Sequence, residues 1–316
     1  MKAAKLNLRV RASETIAPSL RSFTLEAADE GELPARGPGA HLRLMLKDGS
    51  QAWRNAYSIA AASTDRREYR IIVRRVAHSR GGSAFLHEAV RPGQLIEADF
   101  PGNLFPIVQI ARKHLLVSGG IGITPFLSYL GHLKALGTPF ELHHFCRAEE
   151  VAIFENLLAE YDSSRIFIHP EATQFDLVET LRTQPLGTHL YVCGPAELMD
   201  LVIAIARAHG WPASKYHSES FGGVHAGGAP FIAVLQRAGI EVRVGQDQTL
   251  LEALEAAGFE PSCLCRGGAC GECRTEVIEG TPEHRDHYLD ADERATNRAM
   301  MICVSRAVGD RIVLDL

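Results

Sequence analysis

The segment Cys263-Leu264-Cys265-Arg266-Gly267-Gly268-Ala269-Cys270-Gly271-Glu272-Cys273, answered much later by Cys303, decides how the rest of the chain is read. Four residues separate Cys265 from Cys270, two separate Cys270 from Cys273, and 29 lie between Cys273 and Cys303. This is the C-x4-C-x2-C…C spacing of a [2Fe–2S] site, in which four soft, charged thiolates hold two irons. Gly267, Gly268 and Gly271 suit a loop that brings amides up to sulfur and adopts positive φ. Structural zinc sites favour two close C-x2-C pairs, which three cysteines in one loop and a distant fourth do not match. Cys263 reads as a bystander, because only Cys265 gives the four-residue gap.

The 316 residues, 46% hydrophobic and 22% charged, suffice for two or three domains with ordinary cores. Cys146, Cys193 and Cys263 fall outside the ligand set with no framework spacing, which points to a reducing, cytoplasmic setting. The first eleven residues hold no apolar run of signal-peptide length. The most apolar region, 114–130, is broken by Gly119, Gly120, Gly122 and Pro125, so no membrane span or membrane partner is expected. The net charge of −5 is uneven: residues 230–316 carry 15 acidic and nine basic side chains, a balance of −6 that leaves +1 for the remainder. Acidity gathered at one end argues against nucleic acid as a partner. It fits either a solvated surface or a face that steers a basic protein.

Residues 230–316 read as a small α+β domain. Its strands fall at 231–236, 240–244, 275–278 and 311–314, with a helix at 249–257 and a short one opened by the capping pair Asp290 and Glu293. Residues 223–229, within Phe221-Gly222-Gly223-Val224-His225-Ala226-Gly227-Gly228, read as a linker. Residues 108–222 alternate strand and helix, with strands at 114–118, 140–146, 165–169 and 189–193, which predicts a doubly wound, mostly parallel sheet. Such sheets bind ligands at the carboxyl ends of their strands, where Gly119-Gly120-Ile121-Gly122-Ile123-Thr124-Pro125 and Cys193-Gly194-Pro195 fall. The first is a dinucleotide-type turn with Pro125 where a third glycine would stand. His143 and His144, with no third ligand, and His284 and His287, without Rieske spacing, carry no metal role.

Residues 1–107 hold short strands at 6–12, 20–26, 40–47, 69–76 and 94–99, predicting a small closed barrel. Two pieces stand out in it. Arg54-Asn55-Ala56-Tyr57-Ser58-Ile59 is a polar and aromatic cluster at a strand end. Arg80-Gly81-Gly82-Ser83 leads into a helix over 84–88 and reads as a phosphate cradle or as an ordinary turn and cap.

A barrel with a phosphate turn, a nucleotide-type α/β domain and a C-terminal [2Fe–2S] domain, in that order, resemble the phthalate dioxygenase reductase family. The resemblance spans nearly the whole chain. It is carried by Tyr57-Ser58, Arg80-Gly81-Gly82-Ser83, the glycine-rich turn at 119–125, Cys193-Gly194-Pro195, His217-Ser218-Glu219-Ser220-Phe221, the cluster cysteines and the tail. It implies a monomeric oxidoreductase that passes electrons from NADH through FMN to the [2Fe–2S] cluster and on to a terminal Rieske-type oxygenase. Nicotinamide yields two electrons at once and the cluster takes one, so a flavin belongs between them.

By the same resemblance Arg80, Gly81, Gly82 and Ser83 hold the FMN phosphate with Arg74 nearby. Tyr57 and Ser58 line the ring, Ser58 offering a hydrogen bond near N5, and Phe221 stacks where nicotinamide arrives. Ser58 and Phe221 are thus the side chains nearest the redox chemistry. Gly120, Gly122, Thr124 and Pro125 shape the dinucleotide site, with Cys193 and Gly194 beside the nicotinamide. Cys265, Cys270, Cys273 and Cys303 hold the metal. Cys193 reads equally as a buried strand-end cysteine. Where the family shows Arg-x-Tyr-Ser, this chain has Asn55 at the arginine position and Arg54 one residue earlier, so both are candidates for the phosphate. Two other readings compete: the reductase of a di-iron hydroxylase, in which the ferredoxin usually comes first and the flavin is FAD, and a non-catalytic redox sensor.

Overall fold

Alternating apolar and polar side chains build the first sheet. Its strands are β1 (Leu6–Ala17), β2 (Leu20–Ala27), β3 (His41–Asp48), β4 (Gln51–Ser58), β5 (Glu68–Arg74) and, after helix α1 (Gly82–Glu88), β6 (Leu95–Ala98). The computed structural model describes residues 5–49, 51–60, 66–76, 81–171, 175–221 and 227–316. The six strands pair antiparallel in the order β4-β3-β6-β1-β2-β5 around a core that includes Leu8, Val10, Phe23, Leu25, Leu44 and Ile71. The sheet curls into a barrel. Among the described residues its two edges meet at a bridge between Ile59 and Ile71, with Ala60 N donating to Arg70 O at 2.7 Å. Strand β4, for which the sequence predicted no range, pairs with β3 from Gln51 to Ser58 and carries most of the 54–59 cluster.

The next part supplies the parallel sheet. It runs β7 (Lys113–Gly119), α2 (Thr124–Leu136), β8 (Phe140–Cys146), α3 (Val151–Leu158), β9 (Ile166–Pro170), α4 (Leu177–Arg182), β10 (Thr188–Cys193), α5 (Ala196–Ala208) and β11 (Tyr216–Glu219). The strand order is β11-β10-β7-β8-β9. The chain leaves central β7 towards β8 and β9, then returns to β10 on its other side, so β7 and β10 flank the topological switch point. Helices cover both faces. Phe126, Leu130 and Phe154 pack on one side, and Leu177, Met199 and Val202 on the other. The first of these cores also takes in Leu20, Ile72, Phe105 and Ile107 from the barrel side, so barrel and sheet share one apolar interior.

The chain divides into two compact units, Met1–Glu219 and Ser220–Leu316. The second holds β12 (Phe231–Leu235), β13 (Ile240–Val244), α6 (Leu250–Ala256), β14 (Arg274–Glu283), α7 (Ala291–Ala295), β15 (Ala299–Met301) and β16 (Arg306–Leu314). The sheet order is β13-β12-β16-β14-β15, with β12 and β16 parallel and the other pairs antiparallel. Both short helices open on reciprocal capping boxes, Thr249 with Glu252 and Asp290 with Glu293. β14 and β16 outrun their predicted spans because their pairing continues across irregularities near Gly280 (φ 104°). Of the glycine-rich segment, residues 222–226 lie outside the described residues. Gly227 and Ala229, at its end, accept hydrogen bonds from Arg285 and Arg306. Among the described residues no helix is long and apolar enough to cross a membrane.

Arg306 is the polar centre of this unit. It is 1% exposed, and its guanidinium donates to the carbonyls of Gln248 (2.7 Å), Ala229 (3.0 Å) and Gly245 (3.0 Å) while lying 5.2 Å from the Phe231 ring centre. Removing it takes the donor from three carbonyls that β-pairing does not reach. Arg306→Met is therefore expected to cost about 3 kcal/mol. A lowered melting transition of the second unit, followed by circular dichroism, would show it; an unshifted transition would refute it.

Candidate functional site

The cysteine loop runs from the end of α6 to the start of β14. Arg266 (φ 54°), Gly268 (φ 71°) and Gly271 (φ 80°) all take left-handed backbone, which curls the loop around its own sulfurs. Arg266 fixes the curl from outside. It is bidentate to Glu255 of α6 at 2.7 and 2.6 Å, with its side chain 9% exposed. Inside, the amides of Gly267 and Ala269 point at Cys265 Sγ at 3.3 and 3.4 Å. Hydrogen bonds from the Cys270 thiol, then from Cys303 and these amides, hold the Cys265 thiol well below its usual range. These donors favour thiolate at Cys265, the form that ligates iron. Cys273 and Cys303 complete the nest, held by Ile302 N donating to Cys273 O between them. Buried Asp286 shapes the outer wall, accepting from Leu289 N (2.8 Å) and Tyr288 N (3.2 Å). That turn lays the Tyr288 ring over Gly271, where a β-carbon would overlap it.

Among the predicted ligands, Cys265 neighbours Cys270 and Cys303, and Cys303 neighbours Cys273. Cys263 converges with them: its Sγ, Cys273 Sγ and Cys303 Sγ lie within 4.8 Å of one another.

In the barrel, β4 presents Trp53, Asn55 and Tyr57 on one face and Arg54 and Ala56 on the other, both of these exposed. The first face meets the turn into α1. Gly81 has φ 106°, and a β-carbon there would lie 3.1 Å from the Trp53 ring; one on Gly82 would lie 2.8 Å from Asn55 Oδ1. Asn55, rather than Arg54, is therefore the side chain seated against the glycine turn. Ser83 is buried and its Oγ accepts from Val76 N at 3.3 Å. Arg80 lies outside the described residues. Ser58 ends the strand with its Oγ buried and without a hydrogen-bond partner among the described residues, an orphan that a flavin ring edge would satisfy.

Arg74, at the end of β5, turns to the parallel sheet. It donates to Glu150 Oε1 at 2.7 Å and stands 3.7 Å from the β-carbon position of Gly120. Beyond β7 the chain makes a 3₁₀ turn, Gly120–Ile123, straight into α2. Thr124 Oγ1 donates to Ile121 O at 3.0 Å, and Pro125 occupies the first helical turn, where no amide donor is needed. Here two strand ends touch backbone to backbone. A β-carbon on Gly122 would overlap the Cys193 carbonyl, and one on Gly194 would come within 2.8 Å of Gly119 N. Cys193 is fully buried, and burial, then the charge of Glu219, pushes its thiol well up, so it is neutral. Phe221 opens the second unit, 38% exposed.

Gly122→Ala must separate those strand ends. It is expected to cost about 2 kcal/mol or more and to slow reduction by NADH. Thermal melts and anaerobic stopped-flow absorbance check both, and a variant matching the parent in each would remove the close approach from the account.

A barrel with an orphaned serine, a switch-point glycine mouth and a four-thiol nest define a pyridine-nucleotide-dependent reductase with an iron–sulfur outlet. Comparison with known proteins agrees. Residues 233–308 match the 2Fe-2S iron-sulfur cluster binding domain family, and residues 102–216 match the family described as dimethylamine monooxygenase subunit DmmA-like, N-terminal domain. The chain is 42% identical over 312 residues to the heme-dependent oxidative N-demethylase beta subunit of Ectopseudomonas mendocina, covering 98% of this chain and 99% of that one. It is 39% identical over 318 residues to the phthalate 4,5-dioxygenase oxygenase reductase subunit of Pseudomonas putida, covering 98% and 96%. The solved phthalate dioxygenase reductase, a modular structure for electron transfer from pyridine nucleotides to [2Fe–2S], superposes with a TM-score of 0.85 at 34% identity over 99% of this chain and 98% of that one. The chain belongs to the phthalate dioxygenase reductase family. It is the reductase component of an oxygenase system, an enzyme that carries electrons from a pyridine nucleotide to a [2Fe–2S] cluster.

Proposed function

We propose that residues 1–107 hold FMN, 108–222 bind NADH, and 230–316 carry the cluster on Cys265, Cys270, Cys273 and Cys303, with 223–229 as the link. The observation that supports this most is the loop in which Gly267 N and Ala269 N donate to Cys265 Sγ, with the Cys273 and Cys303 sulfurs within 4.8 Å of each other. Bound in the barrel, a flavin takes hydride electrons in a pair and releases them singly. The chain's own part is positioning. Ser58 Oγ would donate to the ring edge beside Tyr57, and Gly81, Gly82, Ser83 and Asn55 would receive the phosphate. Gly120, Gly122, Thr124, Pro125, Cys193 and Gly194 leave room for the dinucleotide, and Arg74 beside Gly120 offers it a cation.

The partner is a terminal oxygenase of Rieske type, in the cytoplasm, met by a monomeric reductase. The likeness to the heme-dependent N-demethylase subunit and the match at 102–216 favour a second reading, in which the acceptor is a haem protein acting on an amine. Anaerobic titration with NADH, read by visible absorbance and low-temperature EPR, tests the path: flavin bleaching and a rhombic [2Fe–2S] signal are expected together. A cluster signal with dithionite but never with NADH would reject it. Flavin released by heat should chromatograph as FMN; FAD would move the chain towards di-iron hydroxylase reductases. NADH consumption coupled to product, measured with a Rieske oxygenase and with a haem N-demethylase, separates the two acceptors.

A further inference from the structure

Five cysteines, not four, face the nest. Leu264 is 41% exposed, whereas Cys263 and Cys265 on either side of it are partly buried. The five thiols also divide. The sulfurs of Cys263, Cys273 and Cys303 lie within 4.8 Å of one another, whereas Cys265 Sγ takes the amides of Gly267 and Ala269. Cys263 also packs against the apolar core of this unit, so its position is fixed rather than incidental.

We propose that Cys263 is a reserve ligand on the Cys273–Cys303 side of the cluster, able to replace either of those two thiolates but not Cys270. The proposal rests on the ligand set given above. Cys273 and Cys303 take the metal first because β14 and β15 and the Ile302–Cys273 hydrogen bond fix the backbone beside both of them. When one of them is missing, the Cys263 thiol gives its proton to solvent and its sulfur forms the Fe–S bond in its place, so thiolate count and cluster charge are conserved.

The test uses the full-length chain, prepared anaerobically, with alanine because a serine hydroxyl can itself bind iron. Iron and sulfide per chain and the EPR signal after dithionite are the readouts. Cys263→Ala should keep the parent signal. Cys273→Ala and Cys303→Ala should each keep a cluster with displaced g-values. Adding Cys263→Ala to either should lower cluster occupancy at least about tenfold. Equal occupancy in single and double variants, or iron-free single variants whose melting transition is intact, overturns the reserve role and leaves the four-ligand reading standing. Loss of the cluster in Cys263→Ala alone overturns the four-ligand reading instead. Should the single variants fail to fold, Cys265→Ala/Cys270→Ala loaded with Co(II) decides. Three thiolates are expected on the ion from its charge-transfer intensity, falling to two on adding Cys263→Ala, and no change refutes the proposal.

Discussion

Alanine at Cys265 or Cys270 should leave a chain that NADH still reduces but that hands on almost no single electrons. Both cysteines sit on the side of the nest that Cys263 does not reach, so neither has a substitute there. Cys265 is also the sulfur on which two loop amides converge. Even outer-shell partners of metal ligands are worth 10–100-fold, so losing a ligand should lower output by about 100-fold or more. Flavin chemistry belongs to the first compact unit and should persist. Anaerobic stopped-flow work would follow flavin bleaching at its own band and, separately, reduction of a one-electron acceptor protein. Parent-like turnover in both channels would show that the loop carries no electrons.

Acid should undo the first unit well before carboxylates protonate in bulk. His144 is fully buried in β8, with Nδ1 2.8 Å from Ser118 Oγ and no partner for Nε2 among the described residues. Burial, then the charges of Arg74 and His169, pushes it down to about 3. His114, 1% exposed in β7, is pushed down to about 4 by burial and then by His189, His132 and His217. Above about pH 6.5 both imidazoles are neutral folded and unfolded, and their contribution is intact. Below it the unfolded chain takes the protons first, so each histidine should remove about 1.4 kcal/mol per pH unit until its folded pKa is reached. Glu141 does not offset this: its carboxyl, brought down to about 2 by the His143 hydrogen bond, loses its contribution only as pH falls below its ordinary range. Urea melts at pH 7, 6 and 5 should show the first unit failing progressively. The second has no buried histidine among its described residues and should hold longer. His169 and His217 are also pushed down to about 4, chiefly by burial, so His144→Phe should lower the slope by about a quarter at most, and a midpoint flat across this range would remove the buried imidazoles as its cause.

What could be read from the chain beforehand followed from how local the cause was. Cluster spacing and the glycine turn at 119–125 are set by chemistry within a few residues, and strand–helix alternation is set by periodicity. Strands β4, β11 and β15 were not legible, because their pairing comes from neighbours. Tyr216–Glu219 has no aliphatic residue and exists as a strand through β10. Had 51–58 been taken as a strand, alternation alone would have put Asn55 with Trp53 and Tyr57, and Arg54 opposite. No such rule joins Arg74 to Glu150, 76 residues apart, and none places the Cys263 sulfur beside those of Cys273 and Cys303.

The distribution of apolar interior sets where this chain can be recombined. One core spans the barrel and the parallel sheet, with Leu20, Ile72 and Phe105 meeting Leu116 and Tyr129, so a cut near residue 107 would open it to water. Among the described residues, the second unit has an apolar core of its own, running from Phe231 to Leu316. Residues 220–316 are therefore a portable cassette. Gene fusion, domain transplantation onto another donor, or expression of the iron–sulfur piece alone should break at 219/220 and nowhere earlier.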